Sequence, residues 1–452
     1  MGKNLVYSNV SLKKNKSYAL YIGGLKYLGI CKFLRKPLKN NYKKPAEIIY
    51  ILPNFPPVSF KGSYVVINNR LKKLNDKNAY VALPINLFYK KVSQSLYVKK
   101  IINKILKNQK NLFVQLYKDA PNLGYIAKSK KIKFLGPQIK LFKKYDNKLY
   151  QHKFIDKIGI PTPKWKLAHG KKNLINLYKR YWNRKKAFIM QMHSAGGKGC
   201  AEVSSVKQIK ENPHIKSKKS LYIISDFIKY KDSPTTSAIV ANENEVFFNG
   251  IMDQIMKGPK NMGSIYPSKL GKNMKNKIEE YTIKIGRELG KRGFRGFFSL
   301  DFVVDKKNKI YFSEINPRIG GTTLEKVYFH EATKSKGCPS LAELEFRAVN
   351  NNTFGNIKQM KIIPARLSWA RFTVKASRGS VIKKSCRPKY SEINTFKKKK
   401  TSIFCFPKKG VNYKTGGLLA NIVSVNFSRK KVRKELLKNK RFVLSHIEKP
   451  FK

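Results

Sequence analysis

The sequence predicts an α/β fold with mixed α+β elements in several domains, and three observations support this. Short apolar runs alternate with polar, lysine-rich connections along most of the chain. Hydrophobic residues make up 41% of the chain and aromatic residues 12%, which is ample material for buried cores and excludes a wholly disordered protein. A length of 452 residues predicts two to four domains, at roughly 100 to 200 residues per domain.

The first third of the chain, residues 1–136, is predicted to be an α/β domain. Its apolar runs, typical of strands, are SYALYI, EIIYILP, SYVVIN, YVALPI and NLFVQLY. One helix is predicted from Tyr97 to Leu106. No GxGxxG loop occurs here, so a dinucleotide site has no support. Leu135, Gly136 and Pro137 interrupt the pattern and predict a domain boundary at residue 136.

The next part, residues 137–345, carries the motifs that indicate chemistry. KLYQHKFIDKIGIPTP predicts a helix from Lys148 that ends before Gly159, and a lysine at a helix start can meet a phosphate. FIMQMHSAGGKGCAEV predicts a strand, a glycine-rich loop and a second apolar stretch. Such a loop lets backbone N–H groups approach phosphates closely, although an ordinary hairpin turn explains it equally well. It is not a P-loop, because GxxxxGK[ST] is absent.

A hinge is predicted in LYIISDFIKYKDSPTTSAIV, where an apolar strand bends at Ser225 and Asp226 into a second strand. Backbone groups at such a bend can meet a purine. A plain sheet edge is the alternative interpretation of the same pattern. The choice between them depends on the motifs that follow.

The segment RGFRGFFSLDFVVDKKNKIYFSEINPRIGGTT is the most informative part of the chain. Two apolar runs flank a DKKN turn, which predicts a β-hairpin. The period of two in a strand places Glu314, Asn316 and Arg318 on one face, and Asp301 approaches them from the partner strand. Two carboxylates and an amide oxygen beside an arginine predict a site that holds Mg²⁺ together with phosphate oxygens.

The last part, residues 346–452, is predicted to be a small mixed α/β domain. RLSWARFTV, SIFCFP and LLANIVSVNF are typical of strands, and a closing helix is predicted from Ser428 to Asn439. No motif in this part indicates chemistry.

In this order, the motifs resemble the ATP-grasp superfamily, in the branch that includes biotin carboxylase and carbamoyl phosphate synthetase. The resemblance covers Leu135 to Thr323. It rests on Lys148, eleven residues before Gly159 of a G[IV]P segment, then on the glycine-rich lid, the hinge strand and EINPR after an acidic strand. It implies an ATP-grasp domain of two α+β subdomains, with the lid subdomain over about 160–228, after an α/β pre-ATP-grasp domain.

The resemblance also implies the roles of single residues. The implied ATP-binding residues are Lys148, Gln191, the lid residues Ser194, Ala195, Gly196, Gly197, Lys198 and Gly199, and the adenine-bordering residues Asp226, Phe227 and Ile228. The implied ligands of Mg²⁺, or of Mn²⁺ in its place, are Asp301, Glu314 and Asn316, and Arg318 would face the reacting acyl or phosphoryl group.

Gln191 departs from the family pattern, which commonly has a second lysine at this position. Glutamine can donate a hydrogen bond to a phosphate but brings no charge, so ATP affinity or phosphate geometry would differ. Lys198 in the lid would compensate in part.

The resemblance implies an ATP- and Mg²⁺-dependent carboxylate–amine ligase. Such an enzyme phosphorylates a small-molecule carboxylate to an acylphosphate, which an amine captures with release of ADP and phosphate. A glutamine at position 191 is similar to some members that join amino acids, which favours a peptide ligase. Two alternatives remain open: a bicarbonate-using carboxylase or carbamoyl-phosphate-type enzyme, and a degenerate ATP-grasp protein that binds nucleic acid. No motif predicts the substrates or whether the chain forms a homo-oligomer.

The last alternative draws on the charge, since 97 Lys and Arg against 25 Asp and Glu give a formal net charge of +72. Clustered basic residues bind phosphate backbones through counterion release. Here lysine is scattered along the chain beside abundant Asn, Ile, Tyr and Phe, residues that share A/T-rich codons, so genomic base composition explains the excess at least as well. Either origin predicts weak, non-specific attraction to RNA or anionic membranes.

Cysteine usage and hydropathy predict a soluble protein of the reducing cytoplasm. The five cysteines are far apart and form no CxxC pair, so neither a disulfide framework nor a zinc knuckle is expected. Apolar stretches stay well below the roughly 20 residues that span a bilayer. Acidic residues are scarce throughout, so their absence before Glu47 does not indicate a targeting segment.

Overall fold

A computed structural model gives the fold of the chain, and part of the chain is described by it. The described residues are 5–56, 60–68, 83–117, 121–136, 139–192, 199–213, 215, 220–258, 260–335, 337–357, 367–375, 380–382, 392–404, 412–413 and 418–448. These residues form helices and four β-sheets in alternation, so the predicted α/β class is confirmed. None of the helices in these ranges is both long enough and apolar enough to cross a bilayer.

The first sheet has six strands in the order β1-β4-β3-β2-β5-β6, parallel except for β1. Its strands are β1 (Leu5–Ser8), β2 (Ser17–Ile22), β3 (Ala46–Leu52), β4 (Ser63–Ile67), β5 (Leu112–Leu116) and β6 (Ile132–Leu135). Its helices are α1 (Arg35–Tyr42), α2 (Ile85–Gln94), α3 (Leu96–Leu106) and α4 (Tyr125–Lys128). Strands β2 and β5 are buried along their whole length, as in a parallel sheet covered on both faces.

Two sequence predictions in this region have different outcomes. The predicted helix from Tyr97 to Leu106 is confirmed as α3. The prediction of a strand for the run YVALPI is wrong at the end of the run, because Ile85 is the first residue of helix α2. Phe88, Tyr89 and Val92 of α2 recur at helical spacing and are fully buried, so helical packing prevails there. Residues 80–82 of this run lie outside the described residues.

The second sheet has four antiparallel strands in the order β7-β10-β8-β9. Its elements are β7 (Trp165–His169), α7 (Gly170–Trp182), β8 (Ala187–Gln191), β9 (Cys200–Val203), α8 (Val206–Glu211) and β10 (Leu221–Asp226). Helix α7 buries Leu174, Tyr178 and Trp182, which are spaced four residues apart and therefore lie on one helical face. This small layered unit carries the glycine-rich loop between β8 and β9.

The third sheet has nine strands in the order β11-β15-β12-β13-β14-β17-β21-β19, with β16 paired to β15. Its strands are β11 (Tyr230–Asp232), β12 (Pro234–Val240), β13 (Val246–Lys257), β14 (Lys260–Tyr266), β15 (Gly296–Asp305), β16 (Ile310–Asn316), β17 (Ser368–Lys375), β19 (Thr401–Phe404) and β21 (Leu418–Asn426). A small fourth sheet joins β18 (Ser380–Ile382), β20 (Asn412–Tyr413) and β22 (Ile447–Glu448).

Helices surround this large sheet: α5 (Ile139–Asp146), α6 (Lys148–Lys157), α9 (Lys272–Lys291), α10 (Thr323–Thr333), α11 (Leu341–Asn351), α12 (Glu392–Lys397) and α13 (Arg429–Ser445). Strand β17 pairs with β14, so the C-terminal strands continue the large sheet. The predicted domain limits at residues 136 and 345 remain predictions.

The two faces of the large sheet differ in polarity. Ala238 and Val240 of β12 pack against α9 in an apolar core. Thr235 and Ser237, on the opposite face of β12, lie across from Asp301 and Ser299 of β15. The fold therefore builds a polar face beside an apolar one, and the predicted site residues of β15 lie on the polar face.

Candidate active site

The hairpin of β15 and β16 brings the predicted acidic residues together. Asp301 lies directly opposite Glu314, and Ser299 lies opposite Asn316. The ladder has an irregularity between Asp301 and Phe302, next to the acidic pair. Both carboxylates therefore converge at one point on the polar face of the sheet.

Asp301 is held by two amide groups. Gln254 Nε2 donates to Asp301 Oδ1 at 3.1 Å, and Asn316 Nδ2 donates to Oδ2 at 3.4 Å. Burial raises the pKa of Asp301, and the negative charge of Glu314 raises it further. The opposed carboxylates thus repel each other, and a cation between them would remove that repulsion.

Lys148 reaches this pair from the start of α6. The Asn147 side chain caps the helix by accepting from the Tyr150 N–H at 3.1 Å. The Lys148 side chain is buried and forms an ion pair with Glu314. Its backbone N–H donates to the Met192 carbonyl, just after β8, at 3.4 Å. Lys148 therefore links the acidic hairpin to the strand that precedes the glycine-rich loop.

Gln151 is a site residue that the sequence interpretation missed. Its Nε2 donates to the Ile315 carbonyl at 2.8 Å and to the Tyr145 carbonyl at 2.7 Å, while its Oε1 accepts from the Ile315 N–H at 2.9 Å. Ile315 lies between the predicted metal ligands Glu314 and Asn316. Gln151 follows Lys148 by three positions on one helical face, and that spacing is the signal that could have found it.

Arg318 follows β16 and points toward the first domain. Its Nη2 donates to Asn316 Oδ1 at 3.0 Å, and its Nη1 donates to Tyr117 Oη at 3.4 Å. Its guanidinium carbon lies 5.3 Å from the centre of the Tyr117 ring, which stacks on Tyr27 with 4.4 Å between ring centres. Among the described contacts, Arg318 Nε has no hydrogen-bond acceptor.

The two tyrosines were also missed from the sequence. Tyr117 directly follows β5, and Tyr27 follows β2 by five residues, so both lie beyond the carboxyl ends of neighbouring parallel strands. Ligands of open α/β sheets bind beyond that edge, and this position is the signal that could have found them.

The glycine-rich loop is described only at its end. Gly199 has φ +79°, a backbone conformation that favours glycine, and a Cβ there would lie 2.6 Å from Gln191 Oε1, so the Gln191 side chain would have to move. The Gln191 N–H donates to the Gly199 carbonyl at 3.0 Å. The other predicted lid residues, Ser194, Ala195, Gly196, Gly197 and Lys198, lie outside the described residues.

The predicted hinge connects two sheets. Asp226 ends β10 in the four-stranded sheet, and Tyr230 begins β11 in the large sheet, so Phe227 and Ile228 cross between them. Asp226 Oδ1 accepts from Trp182 Nε1 at 2.8 Å, and Lys186 Nζ lies 5.4 Å from the centre of the Phe227 ring. The Asp226 side chain therefore joins β10 to α7, and the adenine contacts predicted for Asp226, Phe227 and Ile228 remain predictions.

The donor set suits Mg²⁺ that is shared with phosphates. Among the described residues, no three His, Cys, Asp or Glu side chains cluster into a complete metal site. Two opposed carboxylates and an amide oxygen fit an ion that keeps several waters and binds substrate phosphates, as Mg²⁺ does. Burial and, after it, the negative charge of Glu314 raise the pKa of Asp301, and a divalent cation would relieve the repulsion between the two carboxylates.

Residues 145–322 match the family described as "ATP-grasp domain". The chain contains an ATP-grasp domain. The resemblance predicted from the sequence is therefore confirmed. The matched range includes Lys148, the four-stranded sheet and the acidic hairpin.

One curated relative of the chain is a D-alanine–D-alanine ligase of Aquifex aeolicus (strain VF5). It is 25% identical over 197 residues, which are 42% of this chain and 64% of that relative. The matched part of the chain thus spans less than two thirds of the relative's length.

Solved structures resemble the fold over nearly the whole chain. Biotin carboxylase of Campylobacter jejuni, solved with β,γ-ATP, has a TM-score of 0.64 at 14% identity, covering 95% of this chain and 91% of that one. N5-carboxyaminoimidazole ribonucleotide synthetase of Thermotoga maritima has a TM-score of 0.59 at 14% identity, covering 96% and 99%. At this level of identity the similarity concerns the fold.

Proposed function

We propose that this ATP-grasp protein is an ATP- and Mg²⁺-dependent carboxylate–amine ligase. The observation that carries the proposal is the opposed pair of Asp301 and Glu314, with Lys148 bound to Glu314 and Arg318 bound to Asn316. This cluster lies inside the ATP-grasp domain, on the polar face of the large sheet. Cationic and acidic groups alternate there, as a site for Mg²⁺ and phosphates requires.

The proposed reaction has two steps. A carboxylate oxygen of the substrate attacks the γ-phosphorus of ATP, the bond to the β,γ-bridging oxygen breaks, and ADP leaves. An amine then attacks the acyl carbon of the acylphosphate, phosphate leaves with the electrons of the C–O bond, and the amine loses a proton. The products are an amide, ADP and phosphate.

In these steps, the residues of the chain would position the reactants and compensate their charges. Mg²⁺, when bound by Asp301, Glu314 and Asn316, would neutralise charge on the transferred phosphoryl group. Lys148 would turn from Glu314 to a phosphate oxygen once the cation balances that carboxylate. Arg318, with Nε unpartnered among the described contacts, would bind the carboxylate or acylphosphate through its planar fork.

An amino acid or small peptide is the substrate class that we favour. The name of the Aquifex relative is that of an enzyme that joins two amino acids, and the relative matches 42% of this chain. Gln191 in place of a second lysine supports the same class. A bicarbonate-using ligase is the second candidate, because the whole-chain fold similarity is to biotin carboxylase and to N5-carboxyaminoimidazole ribonucleotide synthetase.

The test is Mg²⁺-dependent release of ADP from ATP by the purified protein. Pooled amino acids, pooled dipeptides and bicarbonate are added in separate reactions. We expect stimulation by amino acids or dipeptides, and a fall of at least about 100-fold in Glu314→Gln, which removes a charged ligand of the Mg²⁺ that would neutralise the transition state. Glu280→Gln, an exposed position on α9 that is paired only with Lys277, is the matched control and should keep full activity.

Three results would separate the candidates. Stimulation by bicarbonate alone would replace the peptide-ligase proposal by the second candidate. Equal ADP release by Glu314→Gln and the control would contradict the assigned site. If the native protein neither bound nor hydrolysed ATP, the ligase proposal would fail and a degenerate, basic binding protein would take its place.

A further inference from the structure

Helix α13 is fixed to the large sheet by one face. Val432, Leu436 and Val443 are buried in the core that β17 and β21 also line. At the helix start, Arg429 Nη2 lies 2.6 Å from Asp253 Oδ2, a carboxylate of β13 that is itself largely buried. The helix is therefore rigidly oriented, and its opposite face is turned outward.

The outer face of α13 combines positive charge with exposed apolar side chains. Its exposed basic residues are Lys430, Lys431, Arg433, Lys434, Lys438 and Arg441. Leu437 is 46% exposed and Leu444 is 44% exposed, and they lie seven positions apart, on one side of the helix. Phe442 is 44% exposed, and Phe427, just before the helix, is 60% exposed. Glu435 is the one acidic residue in the helix.

General basicity of the chain does not account for this surface. Lysine is frequent everywhere, but exposed large apolar side chains are not. Of the seven such side chains in the described part of the chain, four lie between residues 427 and 444. Of these four, Leu437 and Leu444 share one side of α13, and neighbouring exposed apolar groups of this kind mark an interaction site, because water solvates them poorly.

We propose that the outer face of α13 docks onto an anionic phospholipid surface. Lysine and arginine side chains would bind lipid phosphates and carboxylates, while Leu437 and Leu444 enter the boundary between headgroups and acyl chains. A nucleic acid would engage the basic groups but offers no apolar layer for two leucines. A second copy of the chain would bring the same cationic face against itself, and like charges repel.

The test is co-sedimentation of the full-length protein with vesicles. Vesicles of phosphatidylcholine are compared with vesicles that also contain about 30% phosphatidylserine, at physiological salt. We expect binding to the anionic vesicles only. Leu437→Ser/Leu444→Ser, which leaves every charge in place, should lower the partition coefficient about tenfold, and Lys434→Glu/Lys438→Glu should lower it at least as much.

Helix α3 offers matched controls on a second exposed surface. Leu96 is 67% exposed, and Lys100 and Lys104 are exposed on the same helix. Leu96→Ser and Lys100→Glu/Lys104→Glu should leave vesicle binding unchanged within about twofold, and circular dichroism should show that all variants are folded.

Two results would overturn the proposal. One is vesicle binding by the α13 leucine variant equal to that of the native protein, which would leave only non-specific charge attraction. The other is tight binding of a single-stranded RNA that the leucine variant loses while neither vesicle type binds, which would assign the surface to RNA.

Discussion

At the scale of single residues, burial keeps several ionisable groups of this protein near their neutral forms. Burial raises the pKa of Glu345 to about 8 and lowers the pKa of Lys326 to about 7. It also lowers the pKa of His152 to about 4. Desolvation disfavours the charged form in each case, so the direction follows from the sign of the charge.

Glu345 leads to a prediction about pH and stability. Its pKa is about 8 in the folded protein, against an ordinary value of 4.5, so the folded state holds a proton that the unfolded state has lost between these pH values. The stability that this group contributes is present below about pH 4.5 and is lost as pH rises through 8. Glu345→Gln does not titrate, and we expect it to be more stable than the native protein at pH 8 by roughly 2 to 4 kcal/mol.

The measurement is urea unfolding of both proteins at about pH 5 and pH 8. The difference in unfolding free energy between variant and native protein should be small at the lower pH and large at the higher one. The same difference at both pH values would show that Glu345 is charged in the folded protein, contrary to this prediction.

At the scale of elements, the position of β16 depends on α6. Among the strands of the described residues, β16 pairs with β15 alone, and Gln151 of α6 satisfies the N–H and the carbonyl of Ile315 on the other side. A helix side chain thus takes the place of a further strand. The same helix presents Lys148 to Glu314, so α6 positions both the backbone of β16 and the cation beside its carboxylate.

Gln151→Leu tests this arrangement. The change has nearly the same volume but leaves the Ile315 backbone groups and the Tyr145 carbonyl without their partner. We expect a loss of about 3 kcal/mol in unfolding free energy, since buried unsatisfied groups are costly. We also expect slower ADP release, because Glu314 and Asn316 flank Ile315.

Urea unfolding and the ADP assay measure both effects. Gln94→Leu, at an exposed position at the end of α2, is the control and should change stability by less than about 0.5 kcal/mol. Unfolding curves of Gln151→Leu that overlay those of the native protein would mean that the hydrogen bonds of Gln151 contribute nothing to stability.

At the scale of the whole molecule, one apolar core joins the first sheet to the ATP-grasp domain. It contains Tyr21 and Ile48 of the first sheet together with Ile239, Phe297 and Val327. Arg318 and Tyr117 meet across the same junction. The part of the chain that contains the first sheet therefore contributes Tyr117 to the candidate site and apolar side chains to the shared core. We expect both the site and the stability of the protein to depend on close packing between this part and the ATP-grasp domain.

Gly29→Ala probes that contact. A Cβ at Gly29 would lie 1.7 Å from Tyr328 Oη, and Tyr328 is fully buried on α10 of the other part. The φ of −75° at Gly29 allows alanine, so the expected loss of about 1 to 3 kcal/mol comes from overpacking between the two parts.

Gly24→Ala is the matched control. Gly24 has φ −77°, and a Cβ there would have no heavy atom within 4 Å, so we expect no loss of stability. Thermal unfolding of both variants decides the matter. Equal melting temperatures for the two variants would show that Tyr328 can yield, and that the junction is looser than this packing indicates.

Local patterns in the sequence predict some parts of this protein. The alternation of apolar runs predicts the α/β class, the DKKN turn predicts the hairpin of β15 and β16, and the order from Lys148 to EINPR identifies the ATP-grasp domain. These signals work because strand period, turn chemistry and helix starts depend on neighbouring residues.

Contacts between distant residues are visible in the folded chain and not in its local patterns. Gln151 binds Ile315 across 164 positions, and Arg318 meets Tyr117 across 201. Asp226 accepts a hydrogen bond from Trp182 across 44 positions, a contact that its predicted place beside the adenine does not reveal. The pairing of β17 with β14 joins strands from residues 346–452 to the large sheet, and the sequence pattern does not predict this contact. Such contacts are set by how whole elements pack, and no local spacing in the chain encodes them.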